Sequence, residues 1–193
     1  RLQGDWSSDV CSSDLGPAKG PVPLDVAIVL DTTGSMDDEL AVIQQHLAAL
    51  FQRVRGVGQE LDLRLGAVLY RDKGDAYVTR VVPLTGELKR VEAALQRERA
   101  EGGGDTPENV NAALRDAVER LDWRPEAAHV AFLIGDAEPH SEYQDVPSYV
   151  ESIRGAAARG VRFHTVAASG LDVAGSVRSE EHTSGLQSPC NLV

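Results

Sequence analysis

The sequence predicts a three-layer α/β domain: a Rossmann-like, doubly wound, mostly parallel sheet with one antiparallel edge strand. Three observations lead there. Two wholly apolar runs, Val26–Leu30 and Val130–Ile134, each stop abruptly at an aspartate, Asp31 in one case and Asp136 after Gly135 in the other. Unbroken apolar runs of that length suit strands buried on both faces, as parallel strands between two helical layers are. Around them, apolar residues recur at helical spacing, so strand and helix patterns alternate along the chain.

Each element follows in order. Gly16–Pro23, GPAKGPVP, reads as a linker, and the domain proper as 24–177. Leu24–Asp31 is the first strand. Met36, Leu40, Ile43, Leu47, Leu50 and Val54, widened by Phe51, form one helical stripe, which Gly56 and Gly58 terminate. Leu61–Tyr70 alternates and then becomes wholly apolar, a strand entering the core. Past the turn Arg71–Asp75, Tyr77–Val82 alternates and meets Pro83, which predicts a short edge strand folded back as a hairpin. Leu88, Val91, Ala94 and Leu95 mark a short amphipathic helix. Gly102–Gly104 is a flexible loop running into Asp105-Thr106-Pro107-Glu108, where Pro107 suits the first helical position and Asp105 or Thr106 its cap. Val110, Ala113, Leu114, Ala117, Val118 and Leu121 are the buried stripe of that helix. His129–Asp136 is the next strand, Tyr149, Ile153 and Ala157 suggest a helix stopping at Gly160, and Val161–Ala168 is the last strand. Right-handed crossovers place the second and third strands to one side of the first, and the His129 strand to the other. The strand order reverses there, so a crevice opens at the carboxyl ends of the two strands that finish in Asp31 and Asp136.

A length of 193 residues fits one domain. The net charge of −11 argues against nucleic acid as a partner, and no apolar run is long enough to cross a membrane. The ends read differently from the middle. Asp5–Leu15, DWSSDVCSSDL, reads like a translated sequencing-library adapter, and Arg178–Ser188 like a translation of its reverse complement, apart from Gly185. Residues 1–15 and 178–193 are therefore expected to be non-native flanks. Both cysteines, Cys11 and Cys190, fall in them, so no thiol chemistry is expected of the domain. The compartment is not legible.

The stretch that carries chemistry is Asp31-Thr32-Thr33-Gly34-Ser35. Oxygen side chains at alternate positions, at a strand end with a helix following, suit a hard divalent cation. The Gly102–Gly104 run lacks the spacing of a phosphate-binding loop, and no G-x-G-x-x-G follows the first strand.

These residues, with Thr106 in GGGDTPE and Asp136 in FLIGDAEPH, resemble the von Willebrand factor type A domains, which carry D-x-[ST]-x-S after the first strand, a Thr in a later loop and an Asp after the fourth strand. The resemblance spans roughly Leu24–Ser169. Thr33 replaces the commoner Ser, and Gly135 stands where Thr is common. The resemblance implies a metal-ion-dependent adhesion site. Asp31, Thr33, Ser35, Thr106 and Asp136 would hold Mg²⁺, with Mn²⁺ or Ca²⁺ as alternatives, and one position would stay open for the Asp or Glu carboxylate of a protein or peptide partner. It implies a binding module; a bacterial type is expected, and the residues themselves argue against an enzyme. Arg71, Asp72 and His140 are expected on the rim. The family fold continues with a further helix and strand, so the chain is expected to be truncated, with Val161–Ala168 as an unprotected edge. Two alternatives are a Mg²⁺-dependent phosphatase-like hydrolase, disfavoured because Thr33 occupies the position where that chemistry wants a second Asp, and a scaffold domain that binds no metal.

Overall fold

The structure is a computed structural model that describes residues 20–56, 60–104 and 107–168. Five strands form one sheet: β1 (Val22–Asp31), β2 (Leu61–Tyr70), β3 (Thr79–Thr85), β4 (Ala128–Gly135) and β5 (Val161–Ala167), in the spatial order β3-β2-β1-β4-β5. Only β3 is antiparallel to its neighbour. Four helices connect them: α1 (Asp37–Arg55), α2 (Leu88–Gln96), α3 (Val110–Glu119) and α4 (Tyr149–Ala158). This is the mostly parallel α/β sheet read from the sequence, with β1 at its centre and the order reversing between β1 and β4.

Side chains of β1 alternate between two cores, as the period of two requires. Val26, Ile28 and Leu30 meet Met36, Leu40, Leu47 and Phe51 of the first helical segment and Val91 and Leu95 of α2. Ala27 and Val29 face the other way, onto Val110, Ala113, Leu114 and Ala117 of α3 and Ile153 and Ala156 of α4. Apolar burial on both faces explains why the run lacks any polar alternation.

Several details depart from the expected pattern. Leu50 is exposed and leaves the α1 stripe, which runs through Leu47 and Phe51 instead. Met36 lies in a single 3-10 turn, Gly34–Met36, ahead of α1. β3 begins later than expected and passes through Pro83, because the register shifts between the Leu65 and Ala67 pairings and admits an extra residue on this edge strand, where a missing N–H costs little. Helix α3 starts at Val110, not at Pro107: the Asn109 side chain caps it by accepting from Ala112 N, while Glu108 forms an isolated parallel bridge with Pro139. In α4 the buried small residue is Ala156, and Ala157 is exposed. β5 is the outer strand of the sheet beside β4. The flanks and the expected truncation lie outside the described residues.

At the amino end of the sheet a buried charge locks the strands together. Asp25, fully buried, accepts from Arg64 Nε and from the backbone N–H and Nε of Arg124, and Arg124 also reaches Asp62. Burial would raise the Asp25 carboxyl, yet these donors hold it below its usual value. Asp25→Ala removes the shared acceptor and leaves two guanidinium groups facing each other. We expect it to lower unfolding stability in a urea titration by about 3 kcal/mol. An unchanged midpoint would show that the cluster is neutral to stability.

Candidate metal centre

The parallel pairing of β1 with β2 and β4 brings Asp31 level with Tyr70 and next to Gly135, so Asp136 emerges beside it. Beyond Asp31 the chain cannot continue as a strand, because its own backbone turns in toward the carboxylate. Asp31 Oδ1 accepts from Thr33 N at 2.9 Å and from Thr33 Oγ1 at 2.6 Å. Thr33 Oγ1 lies 3.4 Å from Ser35 Oγ, which is exposed. Thr32 points the other way and donates to the Tyr70 carbonyl. Four of the five expected ligand residues, Asp31, Thr33, Ser35 and Asp136, thus gather at one point. The fifth, Thr106, lies outside the described residues.

The glycine loop is pinned over this point. Gly34 N donates to Gly102 O, Glu101 N to Thr32 O, and Gly103 N to Asp75 Oδ2. Gly102 and Gly103 both have positive φ, and a Cβ on Gly102 would fall 2.3 Å from Asp75 Oδ1. Gly135 is also required. A Cβ there would lie 2.4 Å from the Tyr70 hydroxyl, which occupies the space a Thr would need and faces the Asp31 carboxylate.

The electrostatics are unbalanced. Asp31 is fully buried, and apart from the Tyr70 hydroxyl beside the carboxylate its Oδ2 has no donor facing it. Burial drives its pKa up to about 6; the Thr33 donors oppose this, and the charge of Asp136 adds to it. Asp136 Oδ1 is buried and equally without a partner. Glu108, which sequence reasoning passed over, is only 3% exposed, and its Oε2 also has no partner. Burial, then the charges of Asp31, Asp72, Asp75 and Asp136, push it to about 8. A Cβ on Gly103 would touch both Glu108 Oε1 and Thr33, so this carboxylate approaches the site across a glycine. The signal in the sequence was the TPEN segment, whose Pro and Glu were read as helix start.

Buried carboxylate oxygens without donors are the condition that a divalent cation relieves, and hydroxyls beside them are the hard donors that Mg²⁺ or Ca²⁺ takes. The residues present fit such an ion. Among the described residues no three Asp, Glu, His or Cys side chains converge closely enough to hold a metal by themselves. A donor set built from these residues would be mixed, carboxylate and hydroxyl.

The three residues expected on the rim are buried. Arg71 lies against the Tyr77 ring, 4.7 Å from its centroid, and donates to the Arg99 carbonyl. Asp72 accepts from the Tyr143 hydroxyl and faces His140, whose ring stacks on Tyr143 at 4.1 Å. They brace the loops after β2 and β4 around the centre. His129 is tied to the Arg124 carbonyl, while His46 and His164 are exposed.

Comparisons with known proteins bear on the family and the fold. The model of the von Willebrand factor type A domain matches residues 25–187. Alpha-protein kinase vwkA of Dictyostelium discoideum is 29% identical over 142 residues, covering 72% of this chain and 22% of that protein. Integrin beta-6 of Cavia porcellus is 22% identical over 144 residues, 61% of this chain and 18% of that protein. The chain thus spans about a fifth of the length of these relatives. Among solved structures, the pilus adhesin SpaC from Lactobacillus rhamnosus GG in its open conformation has the same fold, with a TM-score of 0.63 and 14% identity over 86% of this chain and 27% of that one.

Two outcomes follow from the geometry. Asp31 and Glu108 titrate above their usual values, so their favourable contribution is complete at low pH and is lost as pH rises through the folded values. In EDTA, stability is expected to fall between about pH 4 and pH 8, by about 3 kcal/mol for Asp31 alone. Asp31→Asn keeps the Thr33 acceptor and removes the charge, so in EDTA at pH 8 it is expected to melt above wild type. A flat pH profile in EDTA would contradict the charge assignment. Separately, Gly102→Ala is expected to displace the loop from Asp75 and lower the melting temperature. An unchanged melt would show that the loop adapts.

Proposed function

The chain belongs to the von Willebrand factor type A domain family, a family of adhesion and protein-interaction modules, and on that premise we propose that it binds a protein or peptide partner through a divalent cation, Mg²⁺ or a similar ion. Asp31, Thr33, Ser35 and Asp136 hold the ion, with Thr106 as a further hydroxyl donor. The observation that carries this reading is the pair of buried carboxylates with no ion-pair partner among the described residues, Asp31 and Asp136, set beside the Thr33 and Ser35 hydroxyls.

When bound, Mg²⁺ supplies an electrophilic centre with a position for a carboxylate oxygen of the partner. The chain's own residues set the geometry. Thr33 donates to Asp31 Oδ1 and so leaves Oδ2 as the open lone-pair face. The Tyr70 hydroxyl lies beside the Asp31 carboxylate, in the space that a side chain at Gly135 would take. Asp136 brings the second charge from β4. The glycine loop, anchored on Gly34 and Thr32, closes the other side. A hydrolase reading finds less support, because Thr33, where a phosphatase of the aspartyl type would need its general acid, is already turned onto Asp31.

The test is a thermal melt in EDTA and then in Mg²⁺ or Mn²⁺, for wild type and Asp31→Asn. An ion that binds only the folded chain stabilises it by about 2.7 kcal/mol at a hundredfold excess over Kd. An upward shift in wild type that is lost in the variant is the expected result. A cooperative melt with no metal response in wild type would overturn the reading in favour of a metal-free scaffold.

A further inference from the structure

Resting on the cation-and-carboxylate reading above, we propose that the partner carries its carboxylate on a basic segment, flanked by lysine or arginine. The argument starts from where the charge sits. In the segments that cap the carboxyl ends of the strands (31–38, 71–78, 97–104, 107–109 and 136–148), three acidic side chains stand for every basic one. A bound dication cancels only part of that excess.

At the other end of the sheet the carboxylates are matched, Asp25 by Arg64 and Arg124 and Asp62 by Arg124. At the carboxyl end only some are, Glu98 by Arg80 and Asp145 by Lys73, whereas Asp31 Oδ2, Asp136 Oδ1 and Glu108 Oε2 are buried with no ion-pair partner among the described residues, and Asp31 and Glu108 are more than nine-tenths buried. Two of the cations on this face are already engaged. Arg71 is buried against Tyr77 and Arg99, and Lys73 spans Asp145 and the Tyr143 ring. Lys73 is exposed but already paired, and the remaining two, Arg97 and Arg99, are exposed beside Glu101, so an excess of acid remains rather than a face free of cations. Around them Glu101, Glu142 and Asp145 are each more than half exposed. A face with an excess of one sign of charge favours approach of a ligand of the opposite sign. A single carboxylate reaches the ion, but acidic residues beside it meet like charge, and basic ones meet opposite charge.

The test compares three short peptides by fluorescence anisotropy with the full chain in Mg²⁺. Each has one central Glu, flanked by Lys, by Gln or by Glu. The Lys-flanked peptide is expected to bind about tenfold tighter than the Gln-flanked one at low ionic strength, with the gap closing as salt shortens the screening length below about 10 Å. Asp38, exposed in the first turn of α1, and Glu101 contribute to the acidic excess, so Asp38→Asn combined with Glu101→Gln is expected to narrow the same gap. Equal binding of the Lys- and Gln-flanked peptides, or tightest binding by the Glu-flanked one, with Mg²⁺ required in each case, would overturn the proposal and leave the cation reading standing. Binding of the Lys-flanked peptide that survives both EDTA and replacement of its central Glu would overturn the carboxylate reading and the proposal together. So would failure of every peptide to bind a chain whose melt responds to metal.

Discussion

Strand β1 is hydrogen-bonded on both edges, to β2 along its whole length and to β4 over Leu24–Leu30, and the site depends on that double pairing. A strand so enclosed has no solvent-facing edge, so the residue that ends it is delivered into the middle of the sheet's carboxyl rim. That residue is Asp31. Its carboxylate is buried because β1 is central, and Asp136 adjoins it because β4 runs parallel in register alongside. The chain spends two apolar cores, one on each face, to hold these carboxylates in a place that water reaches poorly.

The two ends of the sheet use buried charge in opposite ways. At the amino end, Asp25 is as buried as Asp31, but Arg64 and Arg124 surround it and its ionised form is favoured. At the carboxyl end, Asp31 and Glu108 lie among other acids, and their ionised forms are disfavoured. Matched burial of charge serves the fold, whereas unmatched burial is tolerated where something else is to be bound. The buried loop residues Arg71, Asp72 and His140 belong to this arrangement as braces. They tie the loops after β2 and β4 to Tyr77 and Tyr143.

Much of this was legible in the sequence because it is written in periodicity. The apolar runs ending in Asp31 and Asp136 told of doubly buried strands, and the crossover rule placed them side by side. The stripe Val110, Ala113, Leu114, Ala117 of α3 is buried as its spacing implied. What escaped depends on contacts distant in sequence. Leu50 has the right spacing for α1, yet no neighbour covers it. Pro83 looked like a strand end, but an irregular register on the edge strand absorbs it. Pro107 and Glu108 looked like a helix start; instead Glu108 bridges to Pro139 and lends a buried carboxylate to the centre, which only the meeting of two loops after β4 and α2 reveals. The absence of a side chain at Gly135 made sense only once Tyr70 was seen beneath it.

The central claim is that a divalent cation seats between the ends of β1 and β4. Its most direct test is anomalous diffraction from crystals of the chain grown with Mn²⁺. The account predicts one strong anomalous peak within coordination distance of Asp31, Thr33 and Ser35, on the Asp136 side. A peak elsewhere on the molecule, or none at this position in well-ordered crystals, would contradict it.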